Sequence, residues 1–92
     1  MKMKMLNERV LVKVAVEEEV TEGGIIMSAA SHERKYEGWV EDVGDNPDIV
    51  AAGVKPGVYV YYPKGLNTEV IADNVTYDIV SIYDILAVGE EE

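Results

Sequence analysis

Between residues 9 and 16 every second position is a valine. Val10, Val12, Val14 and Val16 share one side of an extended chain, and Arg9, Leu11, Lys13 and Ala15 share the other. A period of two marks a β-strand with one dry face, because successive strand side chains point to opposite faces of a sheet. Shorter strands are expected over residues 38–43, 58–62, 69–72, 76–80 and 85–88, punctuated by the turn signals Lys55-Pro56-Gly57 and Pro63-Lys64-Gly65. Residues 81–84 read as one helical turn with Ser81 at its N-cap. Nowhere do ten residues keep a helical period. The pattern predicts an all-β fold, and a small, partly open β-barrel suits a short chain because closure removes most exposed strand edges.

Length restricts the rest. The 92 residues are expected to form a single domain, 1–92, and a domain of this size has little core with which to stabilise itself. There is no cysteine and only one histidine, His32, so neither a disulfide nor a thiolate or imidazole-rich metal site can help. Contacts between subunits remain as the source of support. With 8 Lys and Arg against 18 Asp and Glu, the formal net charge is −10. A chain this acidic repels phosphate backbones and anionic lipid, so neither nucleic acid nor a membrane is an expected partner. Nearly half of the residues are hydrophobic, too many for an acidic disordered chain. No apolar run approaches a signal peptide core or a membrane helix, and the expected compartment is the cytoplasm.

Two stretches escape the strand pattern. Residues 45–53 form an irregular connection. Residues 17–37 begin with the acids Glu17, Glu18 and Glu19, pass through Gly23-Gly24-Ile25-Ile26-Met27 and continue as a polar run. A connection near 20 residues is long for so small a domain, and such loops are usually functional. One reading makes Ile25, Ile26 and Met27 another short strand over the barrel. The other makes the segment a mobile arm that offers an apolar tip to a partner, with Gly23 and Gly24 supplying backbone freedom.

The sequence holds no constellation for catalysis, and no catalytic residue, cofactor or metal site is expected. Ser31 and His32 are adjacent in a polar run, whereas the members of a nucleophilic triad meet from separate elements. Asp42, Asp45, Asn46 and Asp48 look like part of a calcium loop, but Pro47 and the missing later Glu break that pattern. Glu22-Gly23-Gly24-Ile25 lacks the spacing and the lysine of a phosphate-binding loop. Six tyrosines, at 36, 59, 61, 62, 77 and 83, fall mostly in expected strands, where they serve core or interface packing.

The order of the elements then becomes specific. A strand over residues 6–13, a loop carrying Gly23-Gly24-Ile25-Ile26-Met27, and Gly38-Trp39-Val40-Glu41-Asp42-Val43-Gly44 resemble the ten-kilodalton co-chaperonin family, the GroES type. Lys55-Pro56-Gly57-Val58-Tyr59-Val60 is similar to the family's turn and strand, and Pro63-Lys64, Thr68-Glu69-Val70, Tyr77 and Asp84-Ile85-Leu86-Ala87-Val88 follow in family order. The resemblance covers essentially the whole chain. It departs at residues 45–53, which are shorter than the usual roof hairpin, at Leu66-Asn67-Thr68, and at Met27, where a branched residue is more usual.

The resemblance implies a homo-oligomeric ring, a heptamer, that caps an ATP-driven chaperonin and encloses unfolded client proteins. It implies a mobile loop over about 17–37, with Gly23, Gly24, Ile25, Ile26 and Met27 binding the chaperonin, and a shortened roof hairpin over about 45–53. ATP would be bound by the partner chaperonin. Ring closure would place Met1, Met3, Met5 and Leu6 of one subunit against Ile85, Leu86, Ala87 and Val88 of the next. The alternative from the residues is a monomeric or dimeric GroES-like β-barrel binding module with a ligand pocket.

Overall fold

The computed structural model describes residues 3–15 and 35–89, and within them the chain is almost entirely β. The strands are β1 (Arg9–Val14), β2 (Glu37–Val43), β3 (Tyr59–Tyr61), β4 (Asn67–Ala72), β5 (Val75–Ser81) and β6 (Ala87–Gly89). They form one antiparallel sheet in the order β4-β5-β1-β2-β3-β6. The two end strands are not paired with each other, so the fold is the expected all-β architecture in its open form.

The valine-rich strand lies inside the sheet, with β2 on one side and β5 on the other. Val10 and Val12 are wholly buried and face a core built from Val40, Ile49, Val54, Val60, Tyr62, Val80 and Ile82. Strand β2 explains an oddity of the sequence, since Val40 and Val43 are three residues apart and would face opposite ways in a regular strand. A bulge shifts the register: Val12 opposes Val40 while Leu11 opposes Asp42, which leaves Glu41 as the extra residue. Val43 therefore comes back opposite Val10 and packs against the core.

Two glycines of β2 and its exit are fixed by the close approach of the neighbouring backbone. A Cβ on Gly38 would lie 2.0 Å from the Lys13 carbonyl oxygen, and one on Gly44 would lie 2.1 Å from that of Asn7. Neither obstacle is a flexible side chain that could swing aside.

The connection over residues 45–53 differs from the expected hairpin. It contains a one-turn helix, α1 (Pro47–Ala51), capped by Asn46, whose side-chain oxygen accepts the Asp48 N–H at 2.8 Å. Pro47 sits in the first turn, where its missing N–H costs nothing. Ile49 from this helix is wholly buried, and Val54 follows it into the core, so the segment plugs that end of the sheet. Five residues are too few to display a helical period. The signal present in the sequence was Asn46-Pro47-Asp48, a cap followed by a helix-starting proline.

The turn expected at 81–84 is present as a 3-10 turn (Ile82–Asp84) with Ser81 at its cap. At Leu66-Asn67-Thr68 the chain turns through Gly65, whose φ is +95°, and the Asn67 side chain accepts the Gly65 N–H at 3.3 Å. Asn67 also donates to Asp78 at 2.9 Å, and Tyr62 donates to the other oxygen of that carboxylate at 2.6 Å. Asp78 is wholly buried on the core side of β5, opposite Val12. These bonds satisfy both carboxyl oxygens, which would otherwise be costly to bury.

Replacing Gly38 or Gly44 by alanine is expected to lower stability by about 3 kcal/mol or prevent folding, because backbone must move to admit the methyl group. Urea unfolding followed by circular dichroism measures this. A loss under about 0.5 kcal/mol, typical of a neutral surface change, would contradict it.

Candidate functional site

Strands β1 and β2 run antiparallel, with Val14 opposite Gly38 and Val10 opposite Val43. Residues 16–34 therefore connect two adjacent strands at one end of the sheet. Ala15 donates its N–H to the Glu37 carbonyl at 2.9 Å, which closes the base of the connection. At the other end of the same strand pair lies helix α1, reached through Gly44, whose N–H bonds the Arg9 carbonyl. The two segments that lacked a strand pattern thus leave from opposite ends of the sheet. Gly23, Gly24, Ile25, Ile26 and Met27 lie outside the described residues, but the strands fix the end from which they depart.

Helix α1 is fastened to the body by side chains from separate elements. The Tyr83 hydroxyl donates to Asp48 Oδ2 at 2.6 Å, and Asn46 Nδ2 donates to the Tyr83 oxygen at 3.4 Å. Tyr83 follows Ser81, whose Oγ accepts the Tyr83 N–H at 3.2 Å, and Ile82 beside it donates its N–H to the Glu8 carbonyl. Three of the four residues that suggested a calcium loop are engaged otherwise: Asn46 caps α1, Asp48 accepts from Tyr83, and Asp42 Oδ2 accepts the Met5 N–H at 2.9 Å. Among the described residues no group of three or more His, Cys, Asp or Glu could hold a metal ion.

The residues expected at a subunit interface are divided. Strand β6 ends the sheet and pairs only with β3 among the described strands. Within it and just before it, Leu86 and Ala87 are exposed, while Ile85 and Val88 pack against the core. Residues 3–6 form no strand in the protomer; Leu6 is exposed, Met3 is half-buried and Met5 is buried within its own chain. Met1 lies outside the described residues.

One surface escaped the sequence reading. Trp39 of β2 and Tyr59 and Tyr61 of β3 lie on the sheet face away from the core and stack edge to face. Ring centroids are 5.0 Å apart for Trp39 and Tyr59, and 5.3 Å for Tyr59 and Tyr61. Tyr59 donates to Glu37 Oε2 at 2.6 Å. Trp39 is 49% exposed and Tyr61 40%. The alternation of Val40 and Val60 with these rings was the available signal, because it assigns every aromatic of β2 and β3 to the outer face.

Comparison with known proteins fits this architecture. The family described as the chaperonin 10 Kd subunit matches residues 2–89. The chain belongs to that family. It is 38% identical over 91 residues to the co-chaperonin GroES of Fervidobacterium nodosum, covering 99% of this chain and all of that one. The GroES of Thermotoga maritima is also 38% identical over 91 residues, covering 99% of each chain. That of Enterococcus faecalis is 40% identical over 93 residues, covering 96% of this chain and 99% of the other. Among the described residues no helix is long and apolar enough to cross a membrane.

The hydrogen bond to Asp48 holds the Tyr83 hydroxyl above the ordinary tyrosine range; the bond from Asn46 opposes this, and slight desolvation and the charges of Asp48 and Glu8 add to the rise. A raised pKa means that the protonated form is favoured in the folded protein, so the latch is intact at neutral pH and is lost as pH climbs through the folded value. Ultraviolet difference titration is expected to find one tyrosine ionising later than in the Asp48→Asn variant. Identical titration curves for the two proteins would refute the latch.

Proposed function

We propose that this protein is a co-chaperonin whose copies, seven to a ring, form a lid. The lid docks on an ATP-driven chaperonin through Gly23, Gly24, Ile25, Ile26 and Met27 and encloses unfolded client proteins for folding. Within this reading the chain works in the cytoplasm without catalysis, and ATP is bound by the chaperonin. The observation that carries the reading is the opposition of the two ends of the sheet. A lid needs a docking element on its rim and a closing element at its apex; here the residue 16–34 connection leaves one end of β1 and β2, and the α1 roof plugs the other.

The energetics of the tip suit a reversible lid. Burying a large apolar side chain contributes at most ~1.5–3 kcal/mol, while ordering each loop residue costs on the order of 1 kcal/mol. One arm therefore binds weakly. On a ring, later contacts become intramolecular, and avidity converts weak arms into a tight complex that a modest loss per arm releases. The acidity of the chain has a place as well, because a wet, negatively charged inner wall binds apolar client surface poorly and leaves the client to bury that surface in itself.

Changing Ile25 and Ile26 together to Asp is expected to abolish ATP-dependent capture of this protein by a chaperonin in a pull-down, with the circular dichroism spectrum unchanged. Capture at the original level would show that docking lies elsewhere. A native mass of one or two protomers, with a small ligand bound, would return the binding-module alternative.

A further inference from the structure

One set of side chains joins strands that do not pair. Asp78 of β5 is wholly buried, and its two carboxyl oxygens accept from Tyr62 at 2.6 Å and from Asn67 at 2.9 Å. Tyr62 lies just past the end of β3, and β1 and β2 stand between β3 and β5 in the sheet. Its side chain therefore reaches across the core to a partner that no backbone ladder brings near. Asn67, the first residue of β4, completes a clasp among β3, β4 and β5.

The other end of Tyr62 bears on the candidate site. Its N–H donates to the Tyr36 carbonyl at 3.1 Å, and the two rings meet edge to face with centroids 6.5 Å apart. Tyr36 and Glu37 are where the chain enters the sheet after residues 16–34. They are gripped from opposite sides: the Tyr36 carbonyl by Tyr62, and the Glu37 carbonyl by the Ala15 N–H at 2.9 Å. Both bonds lie at ladder ends, beyond the pair of Glu37 with Tyr61 on one side and of Val14 with Gly38 on the other, where strands open most easily. A tyrosine anchored at its hydroxyl resists that opening on the β3 side. Stability alone does not call for a carboxyl group here, since an apolar side chain of similar size would fill the same space with no oxygen to satisfy. Directed hydrogen bonds instead select one geometry for the Tyr62 ring.

We propose that Tyr62, held by Asp78 and Asn67, is a positioning residue for the base of the residue 16–34 connection: it fixes Tyr36, and with it the point from which that connection leaves the sheet. This rests on the docking reading above and adds to it the part of the body that aims the arm. A fixed anchor delivers a tethered tip best, because a frayed base spreads the tip over more volume and lowers its effective concentration at the partner.

Positioning and stability separate in the paired variant Tyr62→Phe with Asp78→Leu, which removes both polar members of the tie while keeping their bulk. Asn67 is half-buried and can turn to water. Urea unfolding of this variant is expected to give a midpoint close to that of the unchanged protein. Hydrogen exchange followed by NMR is expected to be about tenfold faster at the Ala15 and Tyr62 amides, and within about twofold at those of Val10 and Val12 deep in β1. Tyr62→Phe alone, the milder change, should show the same local pattern. In both variants the concentration needed for half-maximal capture by a chaperonin with ATP is expected to rise about tenfold. Exchange that rises equally at all four amides, or at none, would overturn the proposal, as would a loosened base with capture unchanged. Failure of the unchanged protein to be captured would contradict the docking reading, and the exchange comparison would still decide whether the clasp holds the base.

Discussion

Pairing of β1 on both of its edges is the interaction on which the rest depends. Val10 and Val12 are buried only because β2 and β5 flank them, and the core residues of those strands meet the same two valines. The pairing also determines where the chain goes next. Leaving β1 at Val14 and returning at Glu37 sends residues 16–34 out from one end of the sheet, and leaving β2 at Val43 sends the chain into α1 at the other. Gly38 and Gly44 sit where the neighbouring backbone comes within a methyl group's reach, near each end of β2. The separation of the two ends is thus a consequence of the antiparallel pairing of β1 with β2.

The period-two valines, the Gly and Pro punctuation and the Ser81 cap made the strands and the final turn readable before any coordinates. Each of those features is local, and each strand boundary moved by no more than about two residues, as expected of fraying ends. Helix α1 is not legible in the sequence because its stability comes from Ile49 in the core and Tyr83 on Asp48, contacts across the chain rather than along it. Asp78 was hidden for the same reason. An aspartate on the inner face of a strand argues against burial until Tyr62 and Asn67 arrive from other elements to satisfy it.

Of the surfaces that bear on function, family order points to the residue 23–27 tip and the two terminal segments as expectations. The aromatic ladder needed register. Trp39, Tyr59 and Tyr61 are scattered in sequence, and only the alignment of Trp39 with Tyr59, and of Tyr61 with Ala87, turns them into one surface next to an open edge. The small, cysteine-free, acidic chain thereby acquires a coherent physical account. Its core is small, and exposed aromatic surface is left uncovered on the outer face of the sheet.

The measurement closest to the central claim is native mass spectrometry of the protein mixed with a chaperonin, with and without ATP. The account predicts seven copies added to one end of the chaperonin in the presence of ATP and their release when nucleotide is removed. A protein that keeps the mass of one or two protomers and adds nothing to the chaperonin in either condition would contradict it.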